Sequence, residues 1–293
     1  MHIPVLLKEI SETLDPRPGG FFIDGTLGEG GQAKAILSKI GSRGKLLGLD
    51  WDESSLAQAK RNIKAPNVLF VKGNYADLPL ILKRKKLPPA DGLLLDLGFC
   101  SGQLESGRGF TFQKDEPLDM RYDRESGPSA ADILNGLSEK ELEDIFSRYG
   151  EERFSKRIAR AVGEARRKKK IERTRELAEI IRRALPGGRY GQTGSLRRVF
   201  QALRIYVNRE LENLEAILKN LTSVVRPGGR AAIISFHSLE DRLVKNYFRE
   251  GEKEGGFVIL TKKPIRPEPR EILENPRSRS AKLRAVRLRT DKS

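Results

Sequence analysis

The chain has 293 residues, with 56 Lys and Arg against 40 Asp and Glu, a formal net charge of +16 and a single cysteine. One cysteine excludes an internal disulfide and fits a reducing compartment, and no apolar run approaches the ~20 residues of a membrane helix. The basic excess favours a polyanionic partner, and nucleic acid rather than a membrane surface, because no segment joins a basic face to large exposed aromatics. We therefore expect a cytoplasmic protein without membrane contact.

Alternating strands and helices are predicted as far as residue 98. Apolar runs predict strands at 20–25, 45–50, 68–72 and 92–97, with helices between them near 31–40, 54–63 and 75–86. Near-continuous apolar strands separated by helices are typical of a parallel sheet with both faces covered.

The first strand runs into a glycine-rich loop, FFIDGTLGEGG (21–31). A buried strand that turns through glycines into a helix brings backbone N–H groups close to a ligand, because glycine has no Cβ. The alternative is a tight turn that only connects the two elements. Asp50, at the end of the second strand, favours the ligand, because nucleotide-binding folds hold a ribose hydroxyl on an acid about 20 residues beyond such a loop.

Helical signals dominate from about residue 103 to residue 206, where no good strand run occurs. Ser138 and Glu141 have the spacing of a capping box and precede apolar residues at helical spacing. Thr174 is predicted to cap a later helix of the same region.

The α/β pattern then resumes, with a helix from about 211 to 225 and strands at 231–236, 257–262 and 283–289. The sheet is therefore expected to be discontinuous in sequence. We predict a parallel-sheet domain of residues 1–102 and 207–293, interrupted by an all-helical domain of residues 103–206.

Polar or special residues follow the predicted strands at the edge where an open parallel sheet binds its ligand. They are Asp24 and Gly28 to Gly31, Asp50 and Asp52, Asn74 and Tyr75, Asp96, and Ser235 to Ser238. Each alone is as compatible with a capping or turn role, but their joint placement on one edge indicates a site. Two histidines and one cysteine cannot form a zinc cluster, so no metal is expected.

Two segments concentrate the positive charge. Residues 148–175 hold twelve Lys and Arg against four acids, and residues 262–292 hold eleven against four. We expect the basic run 156–175 and the C-terminal arginines to hold a nucleic-acid backbone, whose phosphates position a protein without specifying sequence. The alternative, a solvated helix face, explains part of the run from Arg166 to Lys170.

Ten segments of the chain, in order, resemble one family. They are HIPVLL (2–7), DGTLGEGG (24–31), LDLGFCSGQL (95–104), RGFTF (108–112), PLDMR (117–121), YGEERFSKRIARA (149–161), FQALRIYVNREL (200–211), PGGR (227–230), SFHSLEDRLVK (235–245) and NPRSRSAKLR (275–284). The family is the bacterial small-subunit ribosomal RNA cytosine-N4 methyltransferases, RsmH or MraW. The resemblance covers essentially the whole chain.

The resemblance implies an α/β fold, the class I methyltransferase (Rossmann-like) fold, with a mostly parallel sheet and an inserted helical domain for substrate recognition. It implies methyl transfer from S-adenosyl-L-methionine to the exocyclic N4 amine of a specific cytidine near the decoding site. The implied partner is small-subunit ribosomal RNA within the small ribosomal subunit. By position, the implied cofactor contacts are Gly30, Gly31, Gln32, Asp50, Tyr75, Asp96 and Gln103.

Three positions depart from the family pattern. The family usually has histidine at Gln32, proline at Gly102, and Thr-Arg-Thr or similar where this chain has Leu196 to Val199. Glutamine still donates and accepts hydrogen bonds, so cofactor binding is expected to survive. The departures at Gln32 and Gly102 leave one alternative open, a non-catalytic ribosome-assembly or RNA-binding factor on the same scaffold. Two further alternatives are methylation of a DNA amine and a nicotinamide-dependent oxidoreductase, for which no catalytic pair can be located.

Asp96 and His237 are the predicted catalytic residues. A cytosine amine is a poor nucleophile, and it needs acceptors for its hydrogens more than a strong base. Asp96, with the backbone carbonyls of Leu97 and Gly98, is placed to accept them, although it alternatively serves only the cofactor. His237 would contact the base or accept a proton, and the alternative is a helix cap.

The predicted substrate contacts are Phe99, Asp119, Arg121 and Ser238. Phe99 would stack on a flipped base, with a core contact as an equal alternative. Asp119 and Arg121 would shape the base pocket or form an internal ion pair. Ser238 would contact the substrate or cap the following helix. The sequence leaves both a monomer and a homodimer open.

Overall fold

The computed structural model describes residues 4–98, 101–185 and 189–290. The chain divides into two compact units, Met1–Cys100 with Leu211–Ser293, and Ser101–Glu210. We call the first the sheet unit and the second the helical unit. The boundaries predicted from sequence lie at 102/103 and 206/207.

The sheet unit contains one seven-stranded sheet. Its strands are β1 (Phe21–Asp24), β2 (Lys45–Asp50), β3 (Val68–Lys72), β4 (Ala90–Asp96), β5 (Val225–Ser235), β6 (Phe257–Ile259) and β7 (Lys282–Leu288). Their order is β3-β2-β1-β4-β5-β7-β6. The first five strands in this order are parallel, and β7 is antiparallel to both β5 and β6. This arrangement confirms the predicted mostly parallel α/β fold.

Helices precede, separate and follow these strands. In chain order they are α1 (Leu7–Leu14), α2 (Gly31–Ile40), α3 (Glu53–Asn62), α4 (Leu78–Lys85), α5 (Ser101–Glu105), α6 (Ala130–Gly136), α7 (Glu139–Arg148), α8 (Ser155–Arg166), α9 (Thr174–Ala184), α10 (Arg189–Asn208), α11 (Glu210–Lys219), α12 (Leu221–Val224), α13 (Ser238–Lys253) and α14 (Pro269–Glu274). Two short 3-10 helices span Tyr75–Asp77 and Pro276–Ser280. None of the helices in the described part of the chain combines the length and the apolar character needed to cross a bilayer.

Both faces of the sheet are buried, because successive side chains of a strand point to opposite faces. In β4, Leu93 and Leu95 pack with apolar residues of α4, α11, α12 and α13. Leu94 packs on the opposite face with α1, α2 and α3. Burying one leucine side chain stabilises the fold by roughly 1.5–3 kcal/mol, so this apolar run fixes the central strand firmly.

The strand β5 begins at Val225, six residues before the predicted start at 231. Its pairing with β4 shifts between Ala90 and Gly92, and the segment Arg226 to Gly229 bulges out of the ladder. Gly228 has a φ of +78°, a conformation that a proline-glycine bulge needs and that other residues rarely adopt. Pro227 and its two following glycines therefore lie in a bulge within a longer strand.

The helical unit has its own apolar core, in which Phe146 is fully buried with residues of α6 to α10. Its predicted capping box is confirmed, since the Ser138 hydroxyl accepts from the Glu141 N–H and the Glu141 carboxylate accepts from the Ser138 N–H. The predicted cap at Thr174 is wrong. The helix α9 starts at Thr174 itself, whose hydroxyl instead donates to the Lys114 carbonyl and accepts from the Glu116 N–H.

Candidate active site at the carboxyl edge of the sheet

The glycine loop connects β1 to α2 through backbone conformations that residues other than glycine rarely adopt. Gly30 is the N-terminal cap of α2 and has a φ of +85°, and a Cβ at this position would lie 2.6 Å from Ile63 Cδ1. A Cβ on Gly31 would collide with the ring of Pro4. The glycines are therefore required by close packing as well as by the turn, because a larger residue at Gly30 or Gly31 would meet Ile63 or Pro4.

Asp50 ties this loop to the end of β2. Its Oδ2 accepts from the Gly28 N–H at 2.7 Å, and its Oδ1 accepts from the Asp52 N–H at 2.9 Å. Asp52 in turn caps α3 by accepting from the Ser54 N–H. Both carboxylate oxygens of Asp50 thus accept hydrogen bonds at the carboxyl end of β2 and hold the side chain beside the glycine loop.

Two carboxylates, Asp24 and Asp96, end the neighbouring strands β1 and β4. Thr26 joins them, because its N–H donates to Asp24 Oδ1 at 3.2 Å and its hydroxyl accepts from the Asp96 N–H at 2.6 Å. Gln32, on the first turn of α2, donates from Nε2 to Asp96 Oδ2 at 2.8 Å. The other oxygens, Asp24 Oδ2 and Asp96 Oδ1, are buried and have no hydrogen-bond partner among the described residues.

Burial raises the pKa of both carboxyl groups to about 7. For Asp24, the hydrogen bond from Thr26 opposes this rise, and the charges of Asp96 and Asp50 add to it. For Asp96, hydrogen bonds from Gly98 and Gln32 oppose it, and the charge of Glu240 adds to it. A carboxylate with a pKa near neutral pH and an oxygen without a donor is suited to accepting a proton from a ligand.

His237 follows β5 and caps the helix α13. Its Nδ1 accepts from the Glu240 N–H at 3.4 Å, and its Nε2 lies 3.1 Å from Glu240 Oε1. The buried Glu240 carboxylate also accepts from the Phe236 N–H at 2.9 Å. The contact of Nδ1 with the Glu240 N–H agrees with the capping alternative. Nε2 is buried and, although it lies near the Glu240 carboxylate, has no hydrogen-bond partner among the described residues. Ser238 is the first residue of α13 rather than its cap, and it is exposed.

Tyr75 follows β3 and begins a 3-10 helix capped by Asn74, whose side chain accepts from the Ala76 N–H at 2.9 Å. The Tyr75 ring is partly buried and packs against the apolar cluster on one face of the sheet. Tyr75 Cβ also approaches Gly25, where an added Cβ would lie 3.2 Å away. The predicted cofactor residue therefore borders the glycine loop.

The chain matches the model of the MraW methylase family over residues 1–289. The chain belongs to this family. It is 45% identical over 305 residues to the ribosomal RNA small subunit methyltransferase H of Syntrophotalea carbinolica, with 98% of this chain and 97% of that protein covered. It is 47% identical over 287 residues to the protein of the same name from Elusimicrobium minutum, with 97% of each covered. The resemblance inferred from the sequence motifs is confirmed.

The remaining predicted residues of this MraW family member lie in the helical unit or outside the described residues. Gln103 is a buried residue of α5, and its contact with the cofactor stays a prediction. Phe99 lies outside the described residues. Asp119 and Arg121 form the internal ion pair that was the alternative, with Arg121 Nε 2.8 Å and Nη2 3.1 Å from the two carboxylate oxygens.

This ion pair dominates the electrostatics of its loop. Burial opposes ionisation of Asp119, but hydrogen bonds from Arg121 and the charges of Arg121 and Arg124 outweigh it and lower the pKa of the carboxyl group. Arg121 Nη1 also donates to the Gly127 carbonyl at 3.0 Å. The donors and acceptors of both side chains are thus largely used within the unit, and a direct substrate contact stays a prediction.

Within the sheet unit, the structure brings together Gly30, Gly31, Gln32, Asp50, Tyr75, Asp96 and His237 at one edge of the sheet. Sequence reasoning missed Thr26 and Glu240, which organise this edge. Phe236, which the sequence placed at this edge without a role, packs its ring so close to Gly98 that an added Cβ there would come within 2.6 Å of it. The signal for Glu240 was present, because a glutamate three residues after a helix cap completes a capping box.

Proposed function

We propose that this chain transfers a methyl group from S-adenosylmethionine to the N4 amine of a cytidine in small-subunit ribosomal RNA, near the decoding site. The names of its curated relatives support the RNA substrate. The observation that carries the proposal is the buried Asp96 Oδ1 without a partner among the described residues, at the end of β4 and beside a glycine loop. We expect the protein to act in the cytoplasm, as a monomer or homodimer.

The residues present fit the cofactor. The glycine loop leads into the N-terminus of α2, Asp50 presents carboxylate oxygens at the end of β2, and Asp24 and Asp96 carry buried oxygens without a partner among the described residues. Gly30, Gly31, Gln32, Asp50, Tyr75 and Asp96 would hold S-adenosylmethionine. When bound, it supplies a methyl group activated by a positively charged sulfur.

Asp96 would orient the amine of the target cytidine. The lone pair of that nitrogen is delocalised into the ring, so the nitrogen becomes nucleophilic only as it turns pyramidal. An acceptor for one of its hydrogens favours this change, and Asp96 Oδ1 has the unused lone pairs to be that acceptor. With a pKa of about 7, the same carboxylate can take the proton that the methylated nitrogen releases.

Gln32 supports this role, since its amide donates to Asp96 Oδ2 and leaves Oδ1 for the substrate. The family usually has histidine at this position, and a glutamine donor serves the same carboxylate. We assign His237 a positioning role, because its Nδ1 accepts from the Glu240 N–H and caps α13 directly after β5. A non-catalytic ribosome-binding factor needs none of these features and is the outcome that the test below separates.

The test is transfer of labelled methyl from S-adenosylmethionine to unmethylated small ribosomal subunits, with naked RNA and DNA in parallel and the product nucleoside identified. We expect N4-methylated cytidine from the subunit. Asp96→Asn should lower transfer roughly 100- to 10,000-fold and retain cofactor binding. Asp77→Asn, at an exposed aspartate of the same unit, is the matched control. Cofactor binding without transfer to any substrate would indicate a non-catalytic factor instead.

A further inference from the structure

A groove of about 530 Å³ lies between α8 and α9 within the helical unit. Its floor is apolar and consists of Ala161, Ala165, Ile180 and Ala184. Its rim carries the long side chains of Arg157, Arg160, Lys168 and Arg183, with Glu164 as its acid. We call this feature the α8–α9 groove.

Two of the four cations on the rim lack a compensating acid. Arg160 is 2.9 Å from Glu164, and Arg183 is 3.9 Å from Glu179 on its own helix. Arg157 and Lys168 form no ion pair within residues 4–98, 101–185 and 189–290, and both are exposed. The rim therefore holds uncompensated positive charge over an apolar floor.

Most neighbouring cations of the same basic run are already engaged. Arg166 donates to the Leu134 carbonyl, Arg167 pairs with Glu139, and Lys169 pairs with Glu176. These pairs agree with the alternative of a structural role for part of the run. Other cations of the run, Lys156 and Lys170 among them, also form no ion pair within the described residues, but they do not line the groove. Arg157 and Lys168 are the unpaired cations that border its apolar floor.

We propose that the α8–α9 groove binds a single-stranded stretch of the RNA substrate, with phosphates on Arg157 and Lys168 and a base or ribose on the apolar floor. This inference rests on the proposed function, which makes the substrate an RNA. Arg157 lies roughly 14 Å along the helix axis from the end of α8 at Arg166, and Lys168 follows in the next turn, so the two cations can contact different phosphates of one strand. Arginine side chains additionally stack on bases through their planar guanidinium groups.

A single strand uses the groove more fully than a duplex does. A duplex presents phosphates outward and keeps its bases stacked inside, so it would leave the apolar floor uncovered. A single strand places unstacked bases or riboses within reach of Ala161, Ala165 and Ile180, and burying this surface adds to the electrostatic attraction. An acidic protein segment would satisfy the charges alone, and the experiment includes it as a competitor.

The experiment compares two double variants with the same change in charge. Arg157→Glu with Lys168→Glu alters the groove, and Lys156→Glu with Lys170→Glu alters exposed neighbours that do not line it. Binding is measured for a labelled single-stranded oligoribonucleotide of roughly 12 nucleotides and for a duplex of the same length, over a range of salt. Circular dichroism confirms that each variant is folded.

We expect the groove variant to bind the single strand at least about tenfold more weakly, and the control variant less than about threefold more weakly. The slope of log affinity against log salt should fall by about 1.4, because each phosphate of a single strand that is neutralised by the protein contributes about 0.7. Equal weakening in the two variants, or equal weakening for single strand and duplex, would overturn the proposal. So would competition by poly-glutamate as strong as that by unlabelled RNA.

A third variant tests the floor without changing charge. Ala165→Phe fills the groove from a half-buried position on α8 and should weaken single-strand binding while leaving duplex binding unchanged. Unchanged single-strand binding would remove the floor from the proposal. Methyl transfer is assayed separately, so intact transfer with no groove effect refutes only the groove. Intact groove binding with no transfer to any substrate refutes only the proposed activity.

Discussion

Replacing Asp24 with asparagine tests the electrostatics of the carboxyl edge without removing the proposed proton acceptor. Asp24 is 1% exposed, and burial raises its pKa from 3.8 to about 7. A shift of this size corresponds to an upper limit of about 4 kcal/mol in the free energy of unfolding. Asparagine is neutral at every pH, so the variant does not carry this penalty.

The direction in which the free energy of unfolding changes with pH follows from proton binding. Because the pKa is higher in the folded protein, the folded state binds the proton more tightly than the unfolded state. The contribution of Asp24 is therefore most favourable below its unfolded pKa of 3.8 and is lost as the pH rises through about 7. Between about pH 5 and about pH 8, we expect the variant to gain at most about 2–3 kcal/mol in the free energy of unfolding relative to the wild type. Any fixed cost of the new amide group is the same at both pH values.

Trp51 is the only tryptophan of the chain and lies directly after β2, so its fluorescence reports unfolding of the sheet unit. Urea unfolding of wild type and Asp24→Asn across this pH range gives the difference in free energy of unfolding. Glu12→Gln, which removes a carboxylate that is 65% exposed on α1, is the control for loss of one negative charge. If the wild type and Asp24→Asn lost stability in parallel with rising pH, the argument for a buried, protonated Asp24 would be wrong.

Three further changes probe other contacts. Gln32→Ala removes a hydrogen-bond donor to the ionised carboxylate of Asp96 and should therefore raise the pKa of that carboxyl group. In a pH–rate profile, the increase in the rate of methyl transfer should then occur at higher pH than in the wild type. Gly30→Ala should destabilise the fold more than Gly41→Ala in thermal unfolding, because both have positive φ but only the first meets a neighbouring side chain; equal costs would contradict this. Arg198→Gln leaves its partner Glu152 buried without a counter-charge and should lower the free energy of unfolding by about 1–3 kcal/mol, as measured by chemical denaturation. This loss should be smaller when Glu152 is also changed to glutamine.

The edge of the sheet that carries the candidate site was predictable because it depends on local patterns. Apolar runs followed by Asp24, Asp50 and Asp96 placed these carboxylates at strand ends, and parallel strands bring such ends to one edge. The contacts between them were not predictable. Thr26 bonds to Asp96 across 70 positions of sequence, and no spacing rule connects the two residues.

The roles of Arg121 and Thr174 could not be predicted, because several groups compete for hydrogen bonds with their side chains. Arg121 could have served a ligand, but the carboxylate of Asp119 lies two residues away in the same loop and is bound by two of its nitrogens. Thr174 had the chemistry of a cap, but the Lys114 carbonyl and the Glu116 N–H engage its hydroxyl. The position of β7 between β5 and β6 could not be predicted from local sequence patterns either, because tertiary pairing decides which strands become antiparallel neighbours.

The order of the strands has a consequence for synthesis on the ribosome. The helical unit is one continuous segment and is complete once residue 210 has emerged. The second edge of β4 stays unpaired until β5 has been synthesised. The strand β6 emerges before its neighbour β7 and has no place in the sheet until β7 arrives. We therefore expect the inserted unit to fold first and the nascent β4 edge to be the segment that most needs protection from aggregation.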